Sequence, residues 1–104
     1  MSRISIRIPT DRIKAFCRKW NLVELAVFGS VLREDFRPDS DVDVLFTFAG
    51  DATRTLLDLV AMKEELQEIL GRRVDLVSRR GIERSRNAAR REAILSTAHV
   101  VYAA

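Results

Sequence analysis

The sequence predicts a single α/β (α+β) domain, spanning residues 1–104, in which helices flank a small mixed central sheet. Short apolar runs typical of strands alternate along the chain with longer segments whose apolar residues recur at helical spacing. The chain has 104 residues, 47% of them hydrophobic, which suits one modest core and leaves no room for a second. No internal repeat or low-complexity segment interrupts this alternation.

Membrane and export segments are not expected. The sequence contains no run of about 18 apolar residues, the length needed for a membrane-spanning helix. Its first residues, Met1 to Ile6, lack the apolar region of a signal peptide. The single cysteine, Cys17, excludes an internal disulfide and fits a reducing compartment. These observations predict a cytoplasmic protein with no membrane partner.

The first 20 residues predict an extended lead-in followed by a helix. Apolar and polar residues alternate at Ile4, Ile6 and Ile8, a pattern of an edge strand that Pro9 ends. Thr10 is expected to cap an amphipathic helix of about three turns. Its apolar stripe contains Ile13, Phe16, Cys17 and Trp20. We interpret Cys17 as a packing residue rather than a reactive thiol.

Two strands and the turn between them come next. Leu22 to Phe28 predicts the first strand, and Gly29 lies where the chain must turn sharply. The second strand is expected from Asp41 to Phe48. Alternation places Val42, Val44 and Phe46 on one face and Asp41, Asp43 and Leu45 on the other. We expect the first of these faces to pack on helices and the leading end of the strand to present its carboxylates to solvent.

The second half of the chain predicts a helix, a strand, a helix and a final strand. Residues 54–70 show helical spacing, with Gly71 as the residue that ends the helix. The expected core stripe of this helix is Leu56, Leu59, Met62, Leu66, Ile69 and Leu70. Residues 73–77 predict a third strand. A helix is expected to open at Gly81 and run to about Ser96, and residues 99–102 form a short strand or an apolar tail.

Charge is unevenly distributed along the sequence. The net charge is +3, and arginines crowd the C-terminal third at Arg72, Arg73, Arg79, Arg80, Arg84, Arg86, Arg90 and Arg91. A basic face attracts nucleotides, nucleic acids or acidic proteins, but an arginine-rich solvated helix explains the same charges equally well.

Three aspartates are candidate metal ligands. Asp41 and Asp43 are two residues apart on one strand, so they project to one face with Cα atoms roughly 7 Å apart. Asp75 lies inside the apolar third strand, where a carboxylate is costly without a cation or a partner. If the third strand pairs beside the second, the three carboxylates form a triad suited to Mg²⁺, and two ions would assist displacement at phosphorus. Alternatively, Asp75 pairs with Arg72 or Arg73.

The turn after the first strand is a candidate phosphate site. Gly29 and Ser30 offer backbone N–H groups and a hydroxyl, and Arg33 lies one turn into the following segment. Ser30 is not expected to be a nucleophile, because the lone histidine, His99, is far away in the sequence. A metal site and a phosphate site on one face indicate metal-assisted phosphoryl or nucleotidyl transfer.

The spacing of these residues resembles a known family. Gly29 and Ser30, ten intervening residues, and then Asp41-Val42-Asp43 match the signature of the polymerase-β-like nucleotidyltransferases. The segment from Gly29 to Val44 is similar to the minimal nucleotidyltransferase (MNT) branch, and Asp75 matches the third carboxylate of that branch. The resemblance covers nearly the whole chain and implies a nucleotidyltransferase fold made of one minimal domain.

The resemblance also implies an activity and a partner. Small MNT proteins act as antitoxins of HEPN-domain ribonuclease toxins, and the studied type transfers AMP from ATP to a tyrosine hydroxyl of the toxin. By similarity, Gly29 and Ser30 would hold the triphosphate, and Asp41 and Asp43 would hold Mg²⁺. Asp75 would contribute to the metal site and deprotonate the acceptor hydroxyl.

Three other functions stay open from the sequence. A binding-only antitoxin would neutralise its partner through the apolar C-terminal residues and the arginine-rich helix. A nucleotidyltransferase subunit would act on a small molecule in a pocket completed by a partner. A nucleic-acid-binding module explains the arginines but not the acidic triad, which would repel phosphate without a metal. Nucleic acid is not expected as a direct substrate, since the chain is too short for polymerase thumb or fingers domains.

Overall fold

The secondary structure alternates as the sequence predicts. The protein is described by a computed structural model covering residues 7–29, 41–50 and 54–104. Over these ranges the elements are α1 (Thr10–Lys19), β1 (Leu22–Phe28), β2 (Val42–Phe48), α2 (Leu56–Leu70), β3 (Val74–Ser78), α3 (Arg79–Glu83), α4 (Ala88–Thr97) and β4 (His99–Ala103). The predicted α+β class is confirmed. Of the helices in these ranges, none has the length and hydrophobicity needed to cross a bilayer.

The four strands form one mixed sheet in the order β3-β2-β1-β4. Strand β1 is antiparallel to both β2 and β4, whereas β2 and β3 are parallel. The C-terminal residues are therefore a strand of the sheet rather than a tail. Of the lead-in expected over residues 1–9, the first six lie outside the described residues, and residues 7–9 form no strand.

Helices cover both faces of the sheet. On one face, residues of α1 and α2 pack on β1 and β2, and this larger core includes Phe16, Leu25, Val44 and Leu66. On the other face, Ile82 of α3 and Ile94 of α4 pack on Ala26, Phe28 and Leu45. Leu45 is thus buried, although alternation alone grouped it with the carboxylates. Asp43, near the start of β2, is only half-buried, so the carboxylates lie where the helices no longer fully cover the sheet.

Cys17 belongs to the larger core. Its side chain is fully buried, and this burial raises the pKa of the thiol to about 12. A thiol with so high a pKa carries almost no thiolate at neutral pH, and the thiolate is the reactive form. The interpretation of Cys17 as a packing residue is confirmed.

Two of the predicted helix starts are wrong. Thr10 is the first residue of α1 and not its cap; Pro9 occupies the N-cap position, and no side chain caps the helix. The single helix expected from Gly81 to about Ser96 is instead two helices, α3 and α4. Each has its own N-cap, because Ser78 accepts a hydrogen bond from the N–H of Gly81 and Asn87 accepts one from the N–H of Arg90. Gly81 therefore lies inside α3.

The ends of α2 follow its sequence signals, but its core stripe is shorter than predicted. Thr55 and Asp58 form a capping box, and Gly71 ends the helix with φ +67°. Met62 and Leu66 are fully buried, whereas Leu56 is 77% exposed. The assignment of Leu56 to the core is wrong, because periodicity identifies the inner face of a helix but not how far along the helix the core extends.

Two leucines of α2 should therefore respond differently to the same substitution. Leu66→Ala is expected to lower the free energy of unfolding by about 2–5 kcal/mol, because it leaves a cavity in the core. Leu56→Ala removes the same atoms from an exposed position and should change it by less than about 0.5 kcal/mol. Urea denaturation of both variants measures the difference. Equal losses would contradict the placement of Leu56 outside the core.

Candidate active site

The pairing of β2 with β3 brings two of the predicted carboxylates together. Asp43 and Asp75 are register partners on these parallel strands. Neighbouring strands lie about 4.8 Å apart, so side chains at paired positions are neighbours on one face of the sheet. On its other side Asp43 is paired with Phe28, the last residue of β1. The pairing of the third strand beside the second, on which the sequence argument made the triad depend, is thus present.

Gly29 is placed against the carboxylate of Asp43. It follows β1 directly and has φ +76°, a conformation that side chains other than glycine rarely adopt. A Cβ atom built on Gly29 would lie 2.3 Å from Oδ2 of Asp43, far inside van der Waals contact. The positive φ and the lack of space for a Cβ atom each favour glycine at this position. As a result, the backbone of residue 29 lies directly beside the carboxylate of Asp43.

The electrostatic environment of Asp43 is unfavourable to its own charge. Burial raises the pKa of the Asp43 carboxyl, and the negative charges of Asp75 and Asp41 raise it further. A bound cation would remove this cost, since it would favour the ionised form of each carboxylate. Carboxylate oxygens are also the ligands that Mg²⁺ prefers in proteins. Asp43 and Asp75 therefore fit a magnesium site in donor chemistry and in charge.

Asp41 lies at the margin of this pair. It comes just before β2, its side chain is 54% exposed, and its Oδ1 atom is 3.1 Å from Nε of Arg73. Arg73 therefore forms an ion pair with Asp41. The alternative in which Asp75 pairs with Arg72 or Arg73 stays a prediction. In the described ranges, no group of three or more His, Cys, Asp or Glu side chains is arranged to hold a metal. The role of Asp41 as a third ligand stays a prediction.

Of the three predicted phosphate-binding residues, Gly29 belongs to the described part of the chain and the other two do not. Gly29 lies beside Asp43, where the sequence places the nucleotide site. Ser30 and Arg33 lie outside the described residues, so their predicted contacts with phosphate stay predictions. His99 begins β4 and pairs with Val27 of β1.

A cavity of about 600 Å³ opens between this end of the sheet and α4. The sheet contributes Phe28, Gly29, Asp43, Asp75 and Val77 to its wall. The helix contributes Arg90, Ala93, Ile94 and Thr97. Apolar side chains and a few polar groups converge in one concave space, as in small-molecule sites generally. A ligand in this cavity would contact the Asp43–Asp75 pair.

The sequence reasoning missed the contribution of α4. Arg90 was included only in the general positive charge of the C-terminal third. Its spacing contained a usable signal, because Arg90, Ile94 and Thr97 are four and then three residues apart and so share a helix face. Ile94 is buried on that face. The spacing does not show which surface of the protein this helix face covers.

Known proteins show the same sequence pattern and fold. Residues 12–99 match the nucleotidyltransferase domain family. The chain is 36% identical over 76 residues to protein adenylyltransferase MntA of Thermococcus cleftensis. The aligned region covers 73% of this chain and 75% of that protein. A solved structure described as a minimal nucleotidyltransferase is 39% identical, with a TM-score of 0.64 and coverage of 86% of this chain and 85% of that one.

A second solved structure shares the fold at lower identity. It is a toxin–antitoxin crystal structure with AMP-PNP, with a TM-score of 0.68 and 18% identity. The match covers 92% of this chain and 74% of that one. At this identity the likeness concerns the arrangement of helices and strands alone.

Proposed function

This chain belongs to the nucleotidyltransferase domain family, and from that premise we propose that it is a protein adenylyltransferase that acts as an antitoxin. Its acceptor would be a tyrosine hydroxyl of a HEPN-domain toxin, and ATP would be the source of AMP. The similarity to MntA supports the proposed transfer of AMP to a protein. The fold shared with a toxin–antitoxin structure supports the proposed antitoxin role. We further propose that residues 1–104 act as one minimal nucleotidyltransferase domain.

One observation carries this proposal: two adjacent carboxylates lie against a glycine turn in the wall of a cavity. Asp43 and Asp75 are register partners, and Gly29 approaches Asp43 so closely that no Cβ fits. A purely structural protein would gain nothing from two neighbouring acidic groups whose charges oppose each other. A site for a metal-bound triphosphate uses both of them.

Magnesium chemistry fits the residues present. Asp43 and Asp75 would hold the ion together with Asp41, and the sequence motif allows two ions. When bound, Mg²⁺ supplies the positive charge that makes the α-phosphorus of ATP more electrophilic and offsets the charge on the departing pyrophosphate.

The residues of the chain would carry the remaining steps. Asp75 accepts the proton of the acceptor hydroxyl, whose oxygen then forms a bond to the α-phosphorus of ATP. The bond between that phosphorus and the bridging oxygen breaks, and pyrophosphate leaves with the bonding electrons. Backbone N–H groups at Gly29 and Ser30 orient the phosphates. The apolar walls formed by Phe28 and Ile94 limit the access of water, so AMP is transferred to the acceptor rather than to water.

A mass measurement tests the proposed transfer. The protein is incubated with ATP, Mg²⁺ and a cognate HEPN-domain toxin, and this partner is then weighed by intact-mass spectrometry. We expect the partner to gain one AMP unit or a whole multiple, to lose its ribonuclease activity in parallel, and to stay unmodified when EDTA is added. An unmodified but inhibited partner would replace this proposal by the binding-only antitoxin.

The structure leaves the binding-only alternative with less surface than the sequence suggested. Its apolar C-terminal residues include Ile94, which is buried in the core, and residues 99–103, which pair with β1 as strand β4. Deletion of residues 97–104 would therefore remove a strand from the sheet and unfold the protein before any docking surface was tested. Point substitutions are the suitable probe.

A further inference from the structure

Arg90 is the one cationic side chain among the described residues that line the cavity. It is on α4, and the carboxylates of Asp43 and Asp75 belong to the opposite wall, on the sheet. Ile94, one turn further along the same helix face, is buried between α4 and the sheet and fixes that face toward the cavity. The position of Arg90 is thus set by core packing.

The described part of the chain gives Arg90 no acidic partner. Neighbouring arginines behave differently, since Arg79 forms an ion pair with Glu24 and Arg73 forms one with Asp41. If Arg90 served to neutralise Asp43 or Asp75, a contact within ion-pair distance would be expected, and its side chain makes none with either residue. With respect to the described residues, its five N–H donors therefore remain available to a ligand in the cavity.

The local position of Arg90 also opposes helix stability. It lies in the first turn of α4, which contains no acidic residue. The N-terminus of a helix carries partial positive charge, so a cation there is unfavourable. A residue that conflicts with its local structure and faces a cavity is expected at a functional site. The helix terminus and the guanidinium together make this wall positive.

We propose that Arg90 binds the phosphates of the nucleotide from the α4 side of the cavity, whose sheet side carries the carboxylates that would hold the metal. This role rests on the proposed function, because it requires a nucleotide in the same cavity. A guanidinium forms paired, charge-assisted hydrogen bonds with phosphate oxygens, and a planar fork suits a phosphate better than the point charge of lysine. Phosphates held between a metal on one wall and Arg90 on the other would be fixed for in-line attack.

Binding measurements on the full chain test this role. Isothermal titration calorimetry with Mg²⁺ compares ATP with adenosine for the unchanged protein, Arg90→Gln and Arg90→Lys. We expect Arg90→Gln to bind ATP about tenfold more weakly and adenosine with less than twofold change, and Arg90→Lys to recover part of the loss. Arg86→Gln is the matched control, since Arg86 is exposed like Arg90 but does not line the cavity. It should bind both ligands as the unchanged protein does.

The outcomes separate this role from the proposed function. Equal affinity of Arg90→Gln and the unchanged protein for ATP would overturn the role of Arg90 and leave the proposed function standing. Equal weakening of ATP and adenosine would also overturn it, because a merely structural residue would affect both ligands. An unchanged protein that binds neither ATP nor adenosine, alone or with its partner, would overturn the proposed function and this role with it.

Discussion

Asp43→Asn is expected to reduce AMP transfer about a thousandfold and, in the absence of metal, to raise the thermal stability of the protein at neutral pH. The activity falls because the amide has no negative charge with which to hold Mg²⁺, and loss of several kcal/mol of metal-assisted stabilisation corresponds to this factor. The stability rises because the substitution removes a half-buried charge that lies beside Asp75. Opposite effects on activity and stability are typical of a functional site.

The pH dependence of this stability gain follows from the direction of the pKa shift. The pKa of Asp43 is raised in the folded protein, first by burial and then by Asp75 and Asp41. The folded state therefore holds the proton more tightly than the unfolded chain, and ionised Asp43 lowers the free energy of unfolding. This loss is fully present above the folded pKa and disappears as the pH falls below the ordinary aspartate value. The gain from Asp43→Asn should be largest near about pH 7 and should shrink toward about pH 4.

Thermal melts at both pH values, in EDTA and separately in excess Mg²⁺ without EDTA, measure these effects. Mg²⁺ should raise the melting temperature of the unchanged protein and have little effect on Asp43→Asn. Glu64→Gln, the same chemical change at an exposed position of α2, is the control and should alter neither activity nor melting temperature. A variant that keeps full transfer activity, or one that melts lower than the unchanged protein in EDTA, would contradict the assignment of Asp43.

Gly29→Ala should abolish most of the activity while the protein stays folded. The new methyl group would lie 2.3 Å from Oδ2 of Asp43, and the atom that must move is the end of a side chain. Displacing that carboxylate costs little in folding energy, but it removes a metal ligand from its position. The positive φ of residue 29 adds a destabilisation of about 1–2 kcal/mol. We expect a modest loss of stability and a loss of transfer about as large as in Asp43→Asn.

Gly71→Ala separates the two causes. Gly71 has a similar positive φ of +67°, but an added Cβ would meet nothing within 4 Å. It should show the same modest loss of stability in urea denaturation and retain full transfer activity. If Gly29→Ala and Gly71→Ala are equally active, the contact between residue 29 and Asp43 has no role in the reaction.

Local sequence signals accounted for much of the fold. Strand β1 has the predicted bounds, Gly71 ends α2, and a third strand forms over nearly the predicted residues. The errors concern features that depend on distant parts of the chain. Leu56 shares the helical repeat of the core residues but lies outside the core, and Leu45 shares the face of the carboxylates but is buried under α3 and α4. Periodicity records which face of an element is apolar, and only packing decides what covers that face.

The sequence by itself determined the class of chemistry: a glycine turn followed by closely spaced aspartates, with one more aspartate in an apolar strand, indicates phosphoryl or nucleotidyl transfer, and the resemblance to a known family selects the second. Residue types and their spacing are properties of the sequence, so they can be recognised without knowledge of the fold. Only the tertiary structure decided that Asp75 meets Asp43 and that Arg90 faces both across a cavity. Arg90 is 15 residues from Asp75 in the sequence, and their proximity arises from the packing of α4 on the sheet, which local spacing does not encode.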